Sequence, residues 1–241
     1  MKIISPSKLN SFSNCPFAFK CHYINHYPKI KTPDAHLFGS MVHDIIPNYY
    51  DKMTEMSREE DSKLKIEEAF AEGTDWRLQK RKTALRKVQT EFQKFEANRI
   101  RKGMGLPTFT EKHFTAQLFE DSPDIEIIVD AYWPEGLLVD WKTGKYAEMT
   151  ESLMIQGKTY EMVLTKKGYP VKKVKFVNLF RGITLDLPKL SDAWLHQRIL
   201  DMMEKIEKEK YPTKRSPLCN GWCEYRLRCD LRDMEGFYEI P

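Results

Sequence analysis

The chain predicts an α/β fold in which a mixed central sheet is flanked by helices. Three observations carry this expectation. Strand-like runs fall near 110–119, 125–133, 137–143 and 172–180. Helical patterns occupy 149–166, between the third and fourth runs, and 190–209, after them. A long, charged, helix-patterned stretch at 57–102 precedes them all.

Taken in chain order, residues 5–27 form a cysteine- and aromatic-containing start. Asp34 suits the N-cap of a helix running to about Tyr50, and Pro47 predicts a kink inside it. Within 57–102, Leu78, Leu85, Val88, Phe92 and Phe95 recur at spacings of seven, three, four and three, which gives one apolar face. Between Trp76 and Lys102 there are ten Lys or Arg against Glu91 and Glu96, a local charge of +8 (ten minus two) in a chain of net charge +4. This stripe, with Arg81, Lys82 and Arg86 at its centre, suits a phosphate backbone; a solvated helix face is the other reading. From Ser216 the tail loses regular pattern and gains cysteine.

Composition narrows the function. A length of 241 residues suits one large domain or a domain with an insertion. Hydrophobic residues, at 41%, can fill a core, while 31% charged residues and no apolar run near ~18 residues exclude a membrane-spanning helix. The opening "MKIISPSKLNSF" lacks the apolar core of an export signal, so a cytoplasmic setting is expected. There, cysteines ligate metals or react more often than they pair, and the odd count of five fits that better than a disulfide framework.

The segment "IEIIVDAYW-PEG-LLVDWKT" carries the chemistry. A three-residue loop at Pro134–Gly136 pairs Trp133 with Leu137 in an antiparallel hairpin, and counting back sets Asp130 opposite Asp140. Alternation gives a dry face of Ile127, Val129, Ala131, Trp133, Leu137, Val139 and Trp141, and a polar face of Glu126, Asp130, Asp140 and Lys142. Facing carboxylates repel. A shared proton, a neighbouring lysine or a bound cation must offset this, and a hard divalent cation held by one or two carboxylates is a natural solution. An ion pair at a sheet edge is the plainer alternative.

These residues resemble the PD-(D/E)XK nuclease motif, and "VDWKTGK" is similar to its RecB-type branch in particular. Further landmarks of that family follow in order. "GSMVH" supplies His43, four residues after Gly39, and "QGKTY" supplies Gln156 and Tyr160, one helical turn apart. "SPSKLNSFSNCPFAFKCHYINHY" resembles the family's Cys-Pro opening at Cys15, and "CNGWCEYRLRC" its terminal cysteine cluster. Only about residues 50–110 have no counterpart. The chain departs from the pattern at Ile127, where the family often has glycine, and in its C-x3-C-x5-C spacing, where C-x2-C-x5-C is usual.

The resemblance implies a restriction-endonuclease-like core across 1–241 as a single nuclease domain, with a helical insertion at about 51–105 and cluster-binding segments at 1–27 and 215–235. It implies one or two Mg or Mn ions held by His43, Asp130, Asp140 and the Trp141 carbonyl. Lys142 would orient the attacking hydroxide, with Gln156 and Tyr160 facing the site. It further implies a [4Fe-4S] cluster on Cys15, Cys219, Cys223 and Cys229, zinc being the competing metal for the same thiolates. The implied activity is exonucleolytic cleavage of DNA at single-stranded ends, with partners in repair or CRISPR adaptation. The rival from another class is a non-catalytic, metal-stapled nucleic-acid-binding subunit of the same fold. Cys21, His22 and His26 form a weaker zinc-ligand pattern, read instead as packing or surface groups.

Overall fold

The turn Pro134-Glu135-Gly136 organises the centre of the molecule. Gly136 sits at φ +87°, and a Cβ there would lie 2.8 Å from the Pro170 carbonyl oxygen. Its N–H donates to the Trp133 carbonyl, and its carbonyl accepts from the amides of Lys172 and Lys173. Only glycine fits this left-handed, crowded position. The strands it joins pair antiparallel with Trp133 opposite Leu137, Tyr132 opposite Leu138 and Ala131 opposite Val139, which is the expected register.

The structure is a computed structural model, and it describes residues 2–29, 34–54, 62–74, 80–144, 147–215, 219 and 223–230. Leu78, one of the expected apolar-face residues, lies outside the described residues. In chain order the elements are β1 (Ile3–Ile4), α1 (Pro6–Asn14), α2 (Pro16–Phe19), a π-helical turn (Lys20–Ile24), α3 (Asp34–Thr54), α4 (Ser62–Glu72) and α5 (Lys82–Arg101). They continue with β2 (Phe109–Gln117), β3 (Asp124–Trp133), β4 (Leu137–Lys142), α6 (Glu151–Lys166), β5 (Lys173–Asn178), β6 (Ile183–Asp186) and α7 (Asp192–Glu207). Asp34 is the first residue of α3, where the sequence suggested the position before it. Thr150 and Ser191 cap α6 and α7 through their hydroxyls, as their position before each helix leads one to expect. The short β1 and β6 went unread because two and four residues are too few to show a period.

The strands pair in the order β1-β3-β4-β5-β6, with β2 also on β3. β4 and β5 are parallel and joined through α6, whereas β3/β4 and β5/β6 are antiparallel. The sheet is therefore mixed, and helices flank it.

The chain divides into two compact units. One comprises 1–33, 115–127 and 189–241, and the other 34–114 and 128–188. In the second, the dry hairpin face supplies Ala131, Trp133, Val139 and Trp141 to the core. They meet a continuous apolar stripe of α3, including Val42, Ile45, Ile46 and Tyr49, together with Val88 and Phe92 of α5. Phe92 and Phe95 meet the Trp141 ring edge-on at 5.5 and 4.8 Å, a favoured aromatic geometry.

α5 is thus part of this core, and its basic stripe is not all solvated. Arg99 is 1% exposed and bonds Glu96, itself 1% exposed, through Nε at 3.0 and 3.1 Å. Glu96 also accepts the hydroxyls of Tyr49 and Tyr50, both at 2.7 Å. Removing one member of a buried, hydrogen-bonded ion pair strands the other charge. Arg99→Ala is therefore expected to destabilise the fold by about 3–5 kcal/mol in denaturant unfolding. Tyr49→Phe, which removes one of several bonds to Glu96, should cost about 1 kcal/mol. A loss below that figure for Arg99→Ala would contradict the role given to the pair.

Candidate active site

Just beyond the last paired positions of the hairpin, Ala131 with Val139, the two strands carry Asp130 and Asp140 into one cleft. Both carboxylates are buried, at 5% and 1% exposure. Their repulsion is resolved by giving each a different set of partners. Asp130 Oδ2 accepts the Trp141 backbone N–H at 2.6 Å and lies 3.5 Å from His43 Nδ1. Asp140 Oδ2 has the Lys142 ammonium at 2.6 Å, and its Oδ1 accepts from Gln156 Nε2 at 2.8 Å.

Gln156 closes this arrangement into a ring. Its Oε1 accepts from Lys142 Nζ at 2.9 Å, and its Nε2 also reaches the Tyr160 hydroxyl at 2.8 Å. Both side chains come from one face of α6, as their i, i+4 spacing leads one to expect. Asp140 Oδ2 meets the ammonium's charge but no aligned hydrogen-bond donor. A buried carboxylate oxygen in that condition is suited to a further cationic partner. The end of β4 is itself pinned: Asn178, opposite Lys142 on β5, donates to the Gly144 carbonyl and accepts the amides of Phe180 and Arg181.

His43 enters from α3. Its Nε2–H donates to the Trp141 carbonyl at 3.1 Å, so Nδ1 is the atom directed at the acids. Nδ1 lies 3.2 Å from Glu111 Oε1. The ligand atoms of His43, Glu111 and Asp130 all lie within 4.8 Å of one another, alone in this respect among the described residues. The sequence reading did not single out Glu111. It lies in the strand segment "FTEKHF", where its backbone adopts φ +43°, a left-handed conformation rare for a residue with a side chain. Such strain is characteristic of functional sites, but nothing in the local pattern marks which residue will adopt it.

The electrostatics follow from this crowding. Burial, then the Asp140 charge, pushes the Asp130 carboxyl up to about 8, against the opposing pull of His43 and Lys142. Burial lowers the His43 imidazolium, but Asp130, the bond to Glu111 and Asp140 outweigh it and raise it to about 9. Burial and the Asp140 charge also hold the Tyr160 hydroxyl well above its ordinary value, so it is neutral. Protons and a cation thus compete for the same ligand atoms. The donor set of His43, Glu111 and Asp130, two carboxylates and one imidazole, fits a hard divalent ion. These groups line an open cleft of about 610 Å³, together with His36 and Ser40 of α3.

The DNA-binding candidates lie elsewhere on this unit. Lys82 and Arg86 are exposed on α5, and Arg81 sits 5.7 Å over the Phe38 ring beside a second cleft. In the other unit, the two chain ends converge. Lys214 Nζ donates to the Ser13 carbonyl at 2.7 Å, and His22 Nδ1 meets the Tyr225 hydroxyl at 2.8 Å. None of the five cysteines is in a disulfide. Burial, then neighbouring thiols, raise Cys223, which feels Cys219, Cys15 and Cys21. Cys21 is raised by burial against Arg228, with Cys15 and Cys229 adding to the rise. No three of the five sulfurs lie within 4.8 Å of one another.

Comparison with known proteins places this geometry. The crystal structure of a "Putative exonuclease" from Eubacterium rectale superposes with a TM-score of 0.56 at 15% identity, covering 100% of this chain and 90% of that one. The crystal structure of SSO0001 superposes with a TM-score of 0.48 at 10% identity, over 95% of this chain and 86% of that one. The first of these likenesses supports the fold alone. No curated protein sequence matches the chain. The family model of the PD-(D/E)XK nuclease superfamily matches residues 3–230, a span that holds every site residue described above and the restriction-endonuclease-like sheet beneath them, and the chain belongs to that superfamily.

Proposed function

We propose that the protein is a Mg²⁺- or Mn²⁺-dependent deoxyribonuclease of the RecB-like branch, acting as an exonuclease on single-stranded DNA ends. The observation that carries this reading is the ring Asp140–Lys142–Gln156 standing beside the His43–Glu111–Asp130 cluster in one cleft. His43, Asp130, Asp140 and the Trp141 carbonyl are the proposed metal ligands, and Glu111 joins them through its place beside His43 and Asp130. When bound there, a divalent ion supplies a water of lowered pKa and polarises phosphate oxygens.

The chain's own groups do the rest. Trp141 N–H fixes the Asp130 carboxylate, and the Trp141 carbonyl fixes the His43 ring. Lys142, held by Asp140 and Gln156, carries a positive charge toward the cleft, where it can stabilise charge building up on phosphorus. Gln156 positions Lys142 and Asp140 together, and Tyr160 orients the Gln156 amide. A non-catalytic binding subunit of this fold has no use for the whole ring, and this favours catalysis.

Arg81, Lys82 and Arg86 are assigned to the DNA backbone. The chain is read as one nuclease domain in which α4 and α5 form the helical insertion, working in the cytoplasm with partners in repair or CRISPR adaptation. Cys15, Cys219, Cys223 and Cys229 are assigned to a structural [4Fe-4S] cluster.

Three outcomes test these assignments. Lys142→Ala is expected to lower Mn²⁺-dependent degradation of labelled single-stranded DNA by roughly 10²–10³-fold. Wild-type cleavage by that variant, or cleavage that persists in EDTA, would sink the nuclease assignment.

Metal binding should be proton-linked. In the metal-free fold His43 and Asp130 titrate as a pair, the imidazolium raised to about 9 and the carboxyl to about 8, and ligation requires proton loss from the pair. Mn²⁺ affinity should therefore rise steadily with pH from the acid side and level off above those values. Calorimetry in buffers of different ionisation enthalpy should report proton release. Affinity independent of pH would remove these two residues from the ligand set.

For the cluster, anaerobically purified protein should be brown, and Cys15→Ser or Cys229→Ser should bleach it while Cys21→Ser should not. A colourless preparation with stoichiometric zinc would replace the cluster and leave the nuclease assignment in place.

A further inference from the structure

The unit built from the two chain ends contains a cleft of about 360 Å³ that the catalytic reading does not use. Two aromatic–cation pairs line it: Lys20 Nζ lies 5.0 Å from the Tyr211 ring centre, and the Arg228 guanidinium 4.2 Å from that of Tyr27. Glu209 is the only carboxylate among the lining residues, so the lining is net positive by one (two cations minus one anion). Tyr27 is 37% exposed, so much of its surface is open to solvent.

Two helix ends shape the cleft. Lys20 opens a π-helical turn that also contains Cys21, and π-turns concentrate at functional sites. Glu209, in the lining, has φ +52°, and His26, between the lining residues Asn25 and Tyr27, has φ +51°. Both end helices, in C-terminal caps closed by the Lys210 N–H donating to the Lys205 carbonyl and the Tyr27 N–H donating to the Cys21 carbonyl. Planar rings interleaved with cations are what a single nucleic-acid strand requires, the rings for bases and the cations for phosphates. A volume of this size suits one nucleotide unit.

We propose that this cleft holds a nucleotide unit of a single-stranded DNA strand, with its phosphate at Lys20 and Arg228 and its base against Tyr27 or Tyr211. The choice of DNA rests on the nuclease reading; the binding chemistry rests on the cleft. Ligand binding moves the cations off the ring faces and onto phosphate.

The test is fluorescence anisotropy of a labelled oligo(dT) with the full chain in EDTA, so that no strand is cut. The Lys20→Glu/Arg228→Glu pair should weaken binding more than about tenfold and flatten the log–log salt dependence by roughly 0.7 for each phosphate no longer neutralised. Tyr27→Ala/Tyr211→Ala should weaken it roughly tenfold, whereas Tyr27→Phe/Tyr211→Phe, which keeps the rings, should bind as the wild type does. Mn²⁺-dependent hydrolysis of bis(p-nitrophenyl) phosphate, an ester too small to reach beyond the catalytic centre, should be the same in every variant. Unchanged affinity and salt slope in the charge-reversed and alanine pairs would overturn the proposal, as would a wild-type protein that binds no oligonucleotide. A wild type that binds the strand but hydrolyses neither ester nor DNA would defeat the catalytic reading and leave the cleft standing.

Discussion

Two buried carboxylates, Asp130 on β3 and Asp140 on β4, line one cleft, and their mutual repulsion is the constraint around which this unit is arranged. Two full charges ~5 Å apart at an effective dielectric of about 20 would repel by about 3 kcal/mol, and the Asp140 charge accordingly adds to burial in raising the Asp130 carboxyl. Such a repulsion is a large part of a domain's net stability. The conflict is settled by asymmetry. Asp130 is turned toward a backbone amide and an imidazole, and Asp140 toward an ammonium and a carboxamide. α3 must deliver His43, α6 must deliver Gln156, and β2 must bend at Glu111, or one carboxylate is left without its partners. A cation held between the two carboxylates would relieve the same repulsion, so a feature that costs stability would also favour a metal.

The hairpin was legible in the sequence because everything that fixes it is local. Strict alternation identifies the dry face, the Pro-Glu-Gly loop fixes the register, and the two together place Asp130, Asp140 and Lys142 on one side. His43, Gln156 and Tyr160 were legible only through family resemblance. Helical period puts Gln156 and Tyr160 on one face, but it cannot say toward which strand that face turns. Glu111 was not legible at all, since its left-handed backbone falls on a residue with no intrinsic preference for it. Arg99 shows the opposite failure. It was counted with the basic stripe because charge is visible in sequence, whereas the two tyrosine hydroxyls that help retain Glu96 in the core come from α3, nearly fifty residues earlier.

Charge on α5 accordingly serves two ends. Towards the core, Glu96 and Arg99 join α3 to the loop after α5, where Arg99 also donates to the Gly105 carbonyl at 3.0 Å. That carbonyl accepts the Trp133 indole N–H as well, at 3.0 Å, so the network extends to the last residue of β3. Away from the core, Lys82 and Arg86 are exposed to solvent. α5 is therefore part of the core on one face and charged toward solvent on the other.

Trp141 connects the two halves of this design. Its ring is held edge-on by Phe92 and Phe95 in the apolar layer, while its N–H and carbonyl, on the polar side, hold Asp130 and His43. Backbone donors and acceptors cannot rotate away as side chains can, so these two contacts move only if the strand moves. The strand, in turn, is fixed by the packing of the ring and by pairing with β3 and β5. Preorganised electrostatics require groups that stay in place as charge develops. Here that rigidity is inherited from a hydrophobic contact on the far face of the same residue. The apolar core and the polar site are consequently one mechanical system, and a loss of packing behind Trp141 would be felt first as a loosening of Asp130 and His43.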